Sequence, residues 1–240
     1  MRLNPLVWQC GDHTHDVVRV DFDAADIREA DRIGRLKVPY MNNHDPAGIP
    51  RPPEVVRIRA VAGKLADAAF REHVQAQIIA QGLGLHVEEY DAIRTDNFQH
   101  GDLYDFRILD GGQERFVEVR SSFSYRVPAA ERIVRSLSIY GWYVTAHHSE
   151  PHRDFYWQFM WYWRPQNKPR QPKWPNVPIF EDQLNAGAVH GYLVGGATRD
   201  MLDDPAISSV RADQDGADYQ AVCPICRGYD VPAITRLTLA

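Results

Sequence analysis

The segment from Gly101 to Ser122 constrains the fold of this chain more than any other part, because it predicts a β-hairpin. Two strand-like runs, 103–109 and 115–122, flank the sequence Asp-Gly-Gly-Gln-Glu. An Asp-Gly-Gly core is a strong signal for a tight turn between antiparallel strands. The chain is therefore expected to fold around a sheet that contains antiparallel pairing.

A long helix is predicted before the hairpin, and further strands are predicted after it. Apolar residues recur at three- and four-residue steps from Val55 to Leu85, which predicts a helix with a potential break at Gly63 and a glycine stop at Gly82–Gly84. The runs 136–146 and 154–165 are rich in β-branched and aromatic residues and predict strands. This order predicts an α/β or α+β fold with a mixed sheet flanked by helices, rather than a doubly wound parallel fold.

The two ends of the chain are less regular. Near the N-terminus a short strand is predicted over 17–22, followed by a helix that Asp23 caps. Near the C-terminus the acidic residues 203–218 predict a loop, and the run 234–239 predicts a last strand. We divide the chain into an N-terminal extension, a core and a C-terminal segment: 1–54, 55–202 and 203–240.

Composition limits the classes of function. The chain has 240 residues, is 44% hydrophobic and carries a formal net charge of −5, so it lacks the dense basic surface of a non-specific nucleic-acid coat. Its apolar stretches are interrupted well before the roughly 20 residues that cross a bilayer, so no membrane partner is expected. No basic segment followed by an apolar one opens the sequence, which predicts no secretory signal and a cytoplasmic location.

Two acidic residues of the predicted hairpin are candidate metal ligands. Strand alternation directs Glu118 and Arg120 to one face, and the turn could bring Asp105 close to them. Two carboxylates on one face are costly unless a cation compensates them, and oxygen ligands suit Mg²⁺ or Mn²⁺. The alternative is that both acids face solvent and that Arg120 forms an ordinary surface ion pair.

The order of elements around these acids resembles the PD-(D/E)xK nuclease superfamily, to which many restriction endonucleases belong. Its core is a helix followed by a hairpin, with an Asp on the first strand and an acid-x-Lys triplet on the second. The matching pieces are AGKLADAAFREHVQAQIIAQGLGL, then GDLYDFRI, then FVEVRSS, and later DFYWQFMWYW and HGYLVGGATRDML. The likeness covers roughly residues 60–202 and implies a restriction-endonuclease-like core.

The resemblance implies a role for each residue that matches the motif. Asp105 and Glu118 would bind Mg²⁺ or Mn²⁺, with Asp102 as the rival for the first position. A helix acid often assists in this family, and either Asp67 or Glu72 could take that role. Arg120 stands where the family usually has lysine, and arginine stays protonated and cannot serve as a general base.

The function implied is a metal-dependent DNA endonuclease, of the restriction or phage-defence type. Because two-fold symmetry is the commonest assembly, a homodimer is expected, with a subunit of a larger defence complex as the alternative. Two other classes stay open. One is a catalytically degenerate nuclease fold that binds DNA or assembles with a partner, and the other is a zinc-stabilised interaction domain.

The three cysteines suggest a second metal site, which would join the two ends of the chain. Cys223 and Cys226 have the C-x₂-C spacing of a zinc knuckle, and Cys10 lies near His13 and His15, either of which could be the nitrogen ligand. Such a structural zinc would contribute directly to folding. A disulfide framework is not expected in a cytosolic chain, and the alternative to zinc is a set of buried cysteines.

Three further groups have both a functional and a structural interpretation. A basic patch could contact DNA or be a solvated proline-rich loop: Arg164, Lys168, Arg170 and Lys173. A histidine cluster could bind metal or phosphate, but favours a loop: His147, His148 and His152. A set of tryptophans could stack on bases, but their alternation favours core packing: Trp157, Trp161 and Trp163.

Overall fold

The computed structural model describes residues 1–41, 43–44, 49–124, 127–145, 148–163, 176–212 and 217–240. Within them the chain forms ten strands, which belong to two sheets. The strands are β1 (Arg2–Cys10), β2 (His13–Asp21), β3 (His86–Glu89), β4 (Phe106–Asp110), β5 (Gln113–Phe123), β6 (Ile139–Val144), β7 (Phe155–Tyr162), β8 (His190–Thr198), β9 (Ser208–Ala212) and β10 (Asp218–Val222).

The larger sheet has seven strands in the order β1-β2-β8-β7-β5-β4-β3. Its neighbours are antiparallel except β5 and β7, which run parallel. The smaller sheet is antiparallel, with the order β6-β10-β9. The architecture is therefore mixed α+β with a mixed sheet, and the order of elements in the sequence predicted that class.

Seven α-helices lie in the described part of the chain. They are α1 (Ala24–Lys37), α2 (Pro53–Gln81), α3 (Tyr90–Ile93), α4 (Ile133–Ser136), α5 (Asn176–Asn185), α6 (Arg199–Asp203) and α7 (Val231–Leu239). The predicted cap of α1 is confirmed, because the Asp23 side chain accepts hydrogen bonds from the backbone N–H groups of Ala25 and Asp26.

Helix α2 supplies the apolar face that covers the sheet. Its 29 residues run without a break through Gly63, and it ends at Gly82, which adopts a positive φ of 63°. One glycine costs a helix only about 1 kcal/mol, and the apolar stripe on both sides outweighs that cost. Leu65, Ala69 and Phe70 of this stripe are fully buried against the sheet.

Strand β7 is the centre of the core and is buried on both faces. Trp157 and Trp161 lie with Phe159 in the cluster under α2, whereas Tyr156 and Met160 project into a second cluster on the opposite face. The prediction that the tryptophans serve core packing is confirmed, because Trp157, Trp161 and Trp163 are almost completely buried.

The ends of the chain differ from the sequence-based expectation. The predicted last strand at 234–239 is wrong, because these residues belong to α7. Asp230 caps that helix through a 2.9 Å bond from the Ala233 N–H, and Pro232 fits its first turn. Strands β1 and β9 were not predicted, and Pro5 is tolerated in β1 because β1 is an edge strand.

Both terminal segments pack on the same sheet as the core. Strand β2 pairs with β8, with Val18 opposite Leu193. Helix α7 packs on β8 and β2, and its Ile234 belongs to the cluster under α2. None of the described helices is both long and apolar enough to span a membrane.

We predict that Gly195→Ala lowers the free energy of unfolding by about 3 kcal/mol or more. Gly195 has a φ of 101°, and a Cβ there would collide with the carbonyl oxygen of Tyr229, which also accepts a hydrogen bond from the Gly196 N–H. Urea-induced unfolding measures the change. Gly63→Ala is the matched control, because a Cβ at that helix position meets nothing, and it should raise stability by about 0.5–1 kcal/mol. Equal stability of the two variants would contradict this packing.

Candidate functional site

The hairpin of β4 and β5 places two acidic side chains together, as the turn predicted. The turn pairs Asp110 with Gln113, and the same register pairs Phe106 with Val117. Asp105 immediately precedes β4 and therefore lies level with Glu118 on β5. The Asp105 carboxylate accepts a 2.7 Å hydrogen bond from the Val119 N–H, which fixes it against the β5 backbone.

Burial and like charge act together on these acids. Loss of hydration, together with the neighbouring charge of Glu118, raises the pKa of Asp105 to about 8. Burial also raises the pKa of Glu118, although Arg120 opposes the shift. The site therefore resists holding both negative charges at neutral pH.

Helix α2 contributes a third acid, Asp67, from the side that packs on the hairpin. Its side chain is 8% exposed, and burial raises its pKa to about 7 against the opposing charge of Lys64. The charge of Asp105 contributes to that increase, which shows that the two acids are close. Of the two helix acids considered from sequence, Glu72 is solvent-exposed, so only Asp67 lies in the cluster.

Lys64 lies one helical turn before Asp67 and was not predicted from sequence. Its Nζ is 2.6 Å from Asp67 Oδ2 and 3.3 Å from Glu89 Oε1, and it also contacts Asp91. Burial alone would lower the pKa of Lys64, but these three acids outweigh it and raise the pKa well above its ordinary value. The K-x-x-D spacing on the buried face of α2 is the signal that could have indicated it.

Arg120 is held by two acids on the other side of the cluster. Its Nη1 is 3.3 Å from Glu118 Oε1, and its Nη2 contacts Glu150 and donates to the Gly141 carbonyl oxygen at 3.2 Å. Burial alone would lower the pKa of this guanidinium, but Glu118 and Glu150 outweigh it and raise the pKa. Arg153 Nε lies 3.7 Å from the second oxygen of Glu118.

These contacts give two of the three acids a positively charged neighbour and leave the third without one among the described residues. Lys64 pairs with Asp67, and Arg120 and Arg153 flank Glu118. Among the described residues, no basic side chain forms an ion pair with Asp105. A poorly hydrated carboxylate without an ion-pair partner is costly, so Asp105 is the place where an added cation would relieve the most unfavourable charge.

The carboxylate groups of the three acids do not all converge on a single position that could hold a metal ion. Within the described chain, Asp67, Asp105 and Glu118 do not bring three carboxylate oxygens within 4.8 Å of one another. An ion that two carboxylates hold, with water and phosphate as its other ligands, fits this arrangement. That is the usual coordination of Mg²⁺ in phosphate-handling sites.

Asp102, the rival to Asp105, belongs to a different group of ion pairs. Its carboxylate is 2.8 Å from Lys37 Nζ and also contacts Arg94. Arg94 in turn bonds to Asp96 at 2.7 Å. Two cations already neutralise Asp102, so the structure brings Asp105 rather than Asp102 to Glu118.

Aromatic side chains border the cluster on the side of Arg120. The Arg120 guanidinium lies 5.8 Å from the ring centre of Tyr143 and 5.9 Å from that of Tyr219. His152 stacks on Trp142 with a centroid separation of 3.8 Å. His147 and the basic patch at Arg164, Lys168, Arg170 and Lys173 lie outside the described residues.

The predicted cysteine and histidine site is found in part. Ligand atoms of Cys10, His13 and Cys226 lie within 4.8 Å of one another. Cys10 and Cys226 form a disulfide bond, which corrects the expectation that the cysteines are unbonded. His15 lies outside the group because its Nε2 bonds to the buried Val194 carbonyl oxygen at 2.8 Å. Cys223 is free and partly exposed.

Comparison with known proteins adds no identification. No family model matches the chain, and no significant match is found among curated proteins or solved structures.

We predict that Asp105 and Asp67 progressively destabilise the folded protein as the pH rises from about 4 to about 8. The folded pKa values of Asp105 and Asp67, about 8 and about 7, lie above the ordinary value of 3.8. The unfolded chain therefore loses these protons first, and deprotonation favours unfolding across that interval. Asp105→Asn should unfold with a free energy roughly 2 kcal/mol higher than wild type at pH 8, and this difference should shrink as the pH falls toward 4.

Urea unfolding at several pH values measures this change. The control Glu72→Gln removes an exposed acid of the same helix as Asp67 and should leave the profile of the wild type unchanged. An Asp105→Asn profile that parallels the wild type would show that Asp105 is not the strained carboxylate.

Proposed function

We propose that this chain is a divalent-metal-dependent phosphodiesterase that cleaves DNA, with a core of the PD-(D/E)xK type. The observation that carries the proposal is Asp105, a half-buried and poorly hydrated carboxylate that forms no ion pair with any described basic side chain and lies level with Glu118 on the neighbouring strand. Acids with strongly shifted pKa values cluster at functional sites, because catalysis or ion binding requires an environment that also destabilises the fold.

The topology supports the proposal. Helix α2 precedes the antiparallel strands β3, β4 and β5, and β7 follows parallel to β5. The first acid lies at the start of β4 and the second in the middle of β5. The same order of helix, hairpin and acids is the basis of the resemblance to the nuclease superfamily.

The residues present fit Mg²⁺ or Mn²⁺. Asp105 and Glu118 would be the ligands, since carboxylate oxygens are the donors that these ions prefer, and Asp67 would assist from the helix. A bound ion supplies an activated water and neutralises charge that develops on the phosphate. Its charge would also stabilise the ionised forms of Asp105 and Glu118, which burial disfavours.

The cations of the site have separate tasks. Lys64 and Arg120 both stay protonated, so neither removes a proton from water. Arg120 is bound to Glu118 and Glu150 and orients the Glu118 carboxylate. Lys64 Nζ lies 2.6 Å from Asp67 and places a positive charge near Asp105. That charge would stabilise the negative oxygen of a bound phosphate.

One observation favours a second candidate, a nuclease fold that binds DNA or assembles without cutting it. Lys64 and Arg120 each form ion pairs with acidic side chains of the protein, and both stay positively charged. A site in which the residue at the usual lysine position cannot accept a proton could retain a cation and a nucleic-acid surface but lack turnover. A homodimer or a larger defence complex is the assembly that either candidate would use.

We predict that the purified protein cuts DNA in the presence of Mg²⁺ or Mn²⁺ and not in the presence of a chelator. Supercoiled, linear and single-stranded DNA are incubated with wild type, Asp105→Asn and Glu118→Gln, and the products are separated on gels. Both variants should lose at least about a hundredfold in rate, because each removes a ligand of the ion.

Glu72→Gln, which alters an exposed acid of α2, is the matched control and should cut like wild type. Cleavage that persists unchanged in Asp105→Asn would remove the assigned site. Failure of wild type to cut any of the three DNA forms with either ion would favour the non-catalytic candidate.

A further inference from the structure

Three side chains that can bind a metal lie together where the tip of the β1–β2 hairpin contacts the C-terminal segment. This group shares no residue with the acid cluster of the candidate site. Cys10 and His13 are the last pair of the hairpin ladder, on either side of a two-residue turn in which Gly11 has a φ of 68°. Opposite residues of an antiparallel ladder project to the same face. Cys226, in the 3₁₀ turn Ile225–Arg227, completes the group.

Backbone and side-chain hydrogen bonds hold both halves of the group in place. On the hairpin, the Gln9 side-chain amide donates to the carbonyl oxygens of Gly11 at 2.8 Å and His13 at 3.1 Å. In the C-terminal segment, the Ile225 N–H donates to the Leu137 carbonyl oxygen at 2.8 Å. Cys10 and Ile225 also belong to one buried apolar cluster, so core packing as well as the disulfide brings the two halves together.

We propose that the reduced protein binds one Zn²⁺ ion through Cys10, His13 and Cys226, with Cys223 as the fourth ligand. In the oxidised protein the two sulfurs are bonded to each other, and a ring nitrogen of His13 lies within 4.8 Å of both. Reduction would let the sulfurs move apart to the roughly 3.3–3.8 Å that separates the ligand atoms of a tetrahedral zinc ion. The Cys223 sulfur lies outside this group, and Cys223 is assigned to the fourth position because its thiol is free and at C-x₂-C spacing from Cys226, so its side chain would turn toward the ion.

The chemistry of the site requires that the Cys10–Cys226 bond is opened first. A phosphine reductant cleaves it to two thiols and takes up oxygen from one water to become the phosphine oxide. Each thiol that binds Zn²⁺ then gives up its proton, so three cysteines release three protons for each ion bound. The same residues thus form a disulfide when oxidised and a closed zinc shell when reduced.

Such a site would link the edge of the large sheet to the C-terminal segment. Cys10 ends β1, the outermost strand, and it is 216 residues away from Cys226 in sequence. A link between distant residues restricts the unfolded chain strongly, and zinc affinity at a site absent from the unfolded state adds directly to folding stability. This role does not depend on the proposed cleavage of DNA.

The experiment measures zinc bound to the full-length protein. Protein reduced with a phosphine is incubated with one equivalent of Zn²⁺, desalted and analysed for metal, and Co²⁺ is used in parallel to record thiolate charge-transfer absorption. Wild type should retain about one zinc per chain. Cys226→Ser and His13→Ala should bind at least about tenfold more weakly, and Cys223→Ser should lose about a third of the charge-transfer band.

Asp12→Ala is the matched control for His13→Ala, because Asp12 lies exposed in the same turn and is not a ligand. It should bind zinc like wild type. The unreduced protein should retain no zinc at this site. Less than about a tenth of an equivalent in reduced wild type, or full retention in Cys226→Ser, would overturn the proposal. An unchanged cobalt band in Cys223→Ser would overturn the assignment of the fourth ligand.

Discussion

The interaction on which the candidate site depends is the repulsion between carboxylates that the fold brings together in a poorly hydrated place. Asp105, Glu118 and Asp67 lie where loss of hydration raises all three pKa values, and each charge worsens the cost of the others. Burial of charge without a partner is among the most unfavourable arrangements in a protein. The surrounding cations reduce that cost for Glu118 and Asp67 but leave Asp105 without an ion pair among the described residues.

Packing in the apolar core holds the acids in place despite their unfavourable electrostatic energy. Strand β7 is buried on both faces, and Trp157 and Trp161 pack beneath α2 beside the hairpin that holds the acids. The apolar core thus fixes the helix and the hairpin strongly enough to hold Asp67 near Asp105. An acid cluster on a mobile loop would relax into solvent, whereas one fixed by a helix and two paired strands cannot.

Local patterns predicted the hairpin and the long helix, because turn chemistry and apolar periodicity act over a few residues. The turn predicted that Asp105 and Glu118 lie near each other, whereas the register that sets them level is seen only in the structure. Glu150 and Arg153 could not be predicted, because they reach the cluster from the connection between β6 and β7 through tertiary packing. Likewise, helix α7 was mistaken for a strand because its alternating apolar residues suit either element.

Calorimetric titration with Mn²⁺ at pH 7, in two buffers of different ionisation enthalpy, tests the central claim most directly. Because the neighbouring carboxyl groups of Asp105 and Glu118 both have raised pKa values and resist carrying two negative charges, a cation that binds there should displace a proton. We predict binding with release of roughly one proton per ion, and weaker binding without that release in Asp105→Asn. Absence of binding, or binding that releases no proton and is unchanged in Asp105→Asn, would contradict the account.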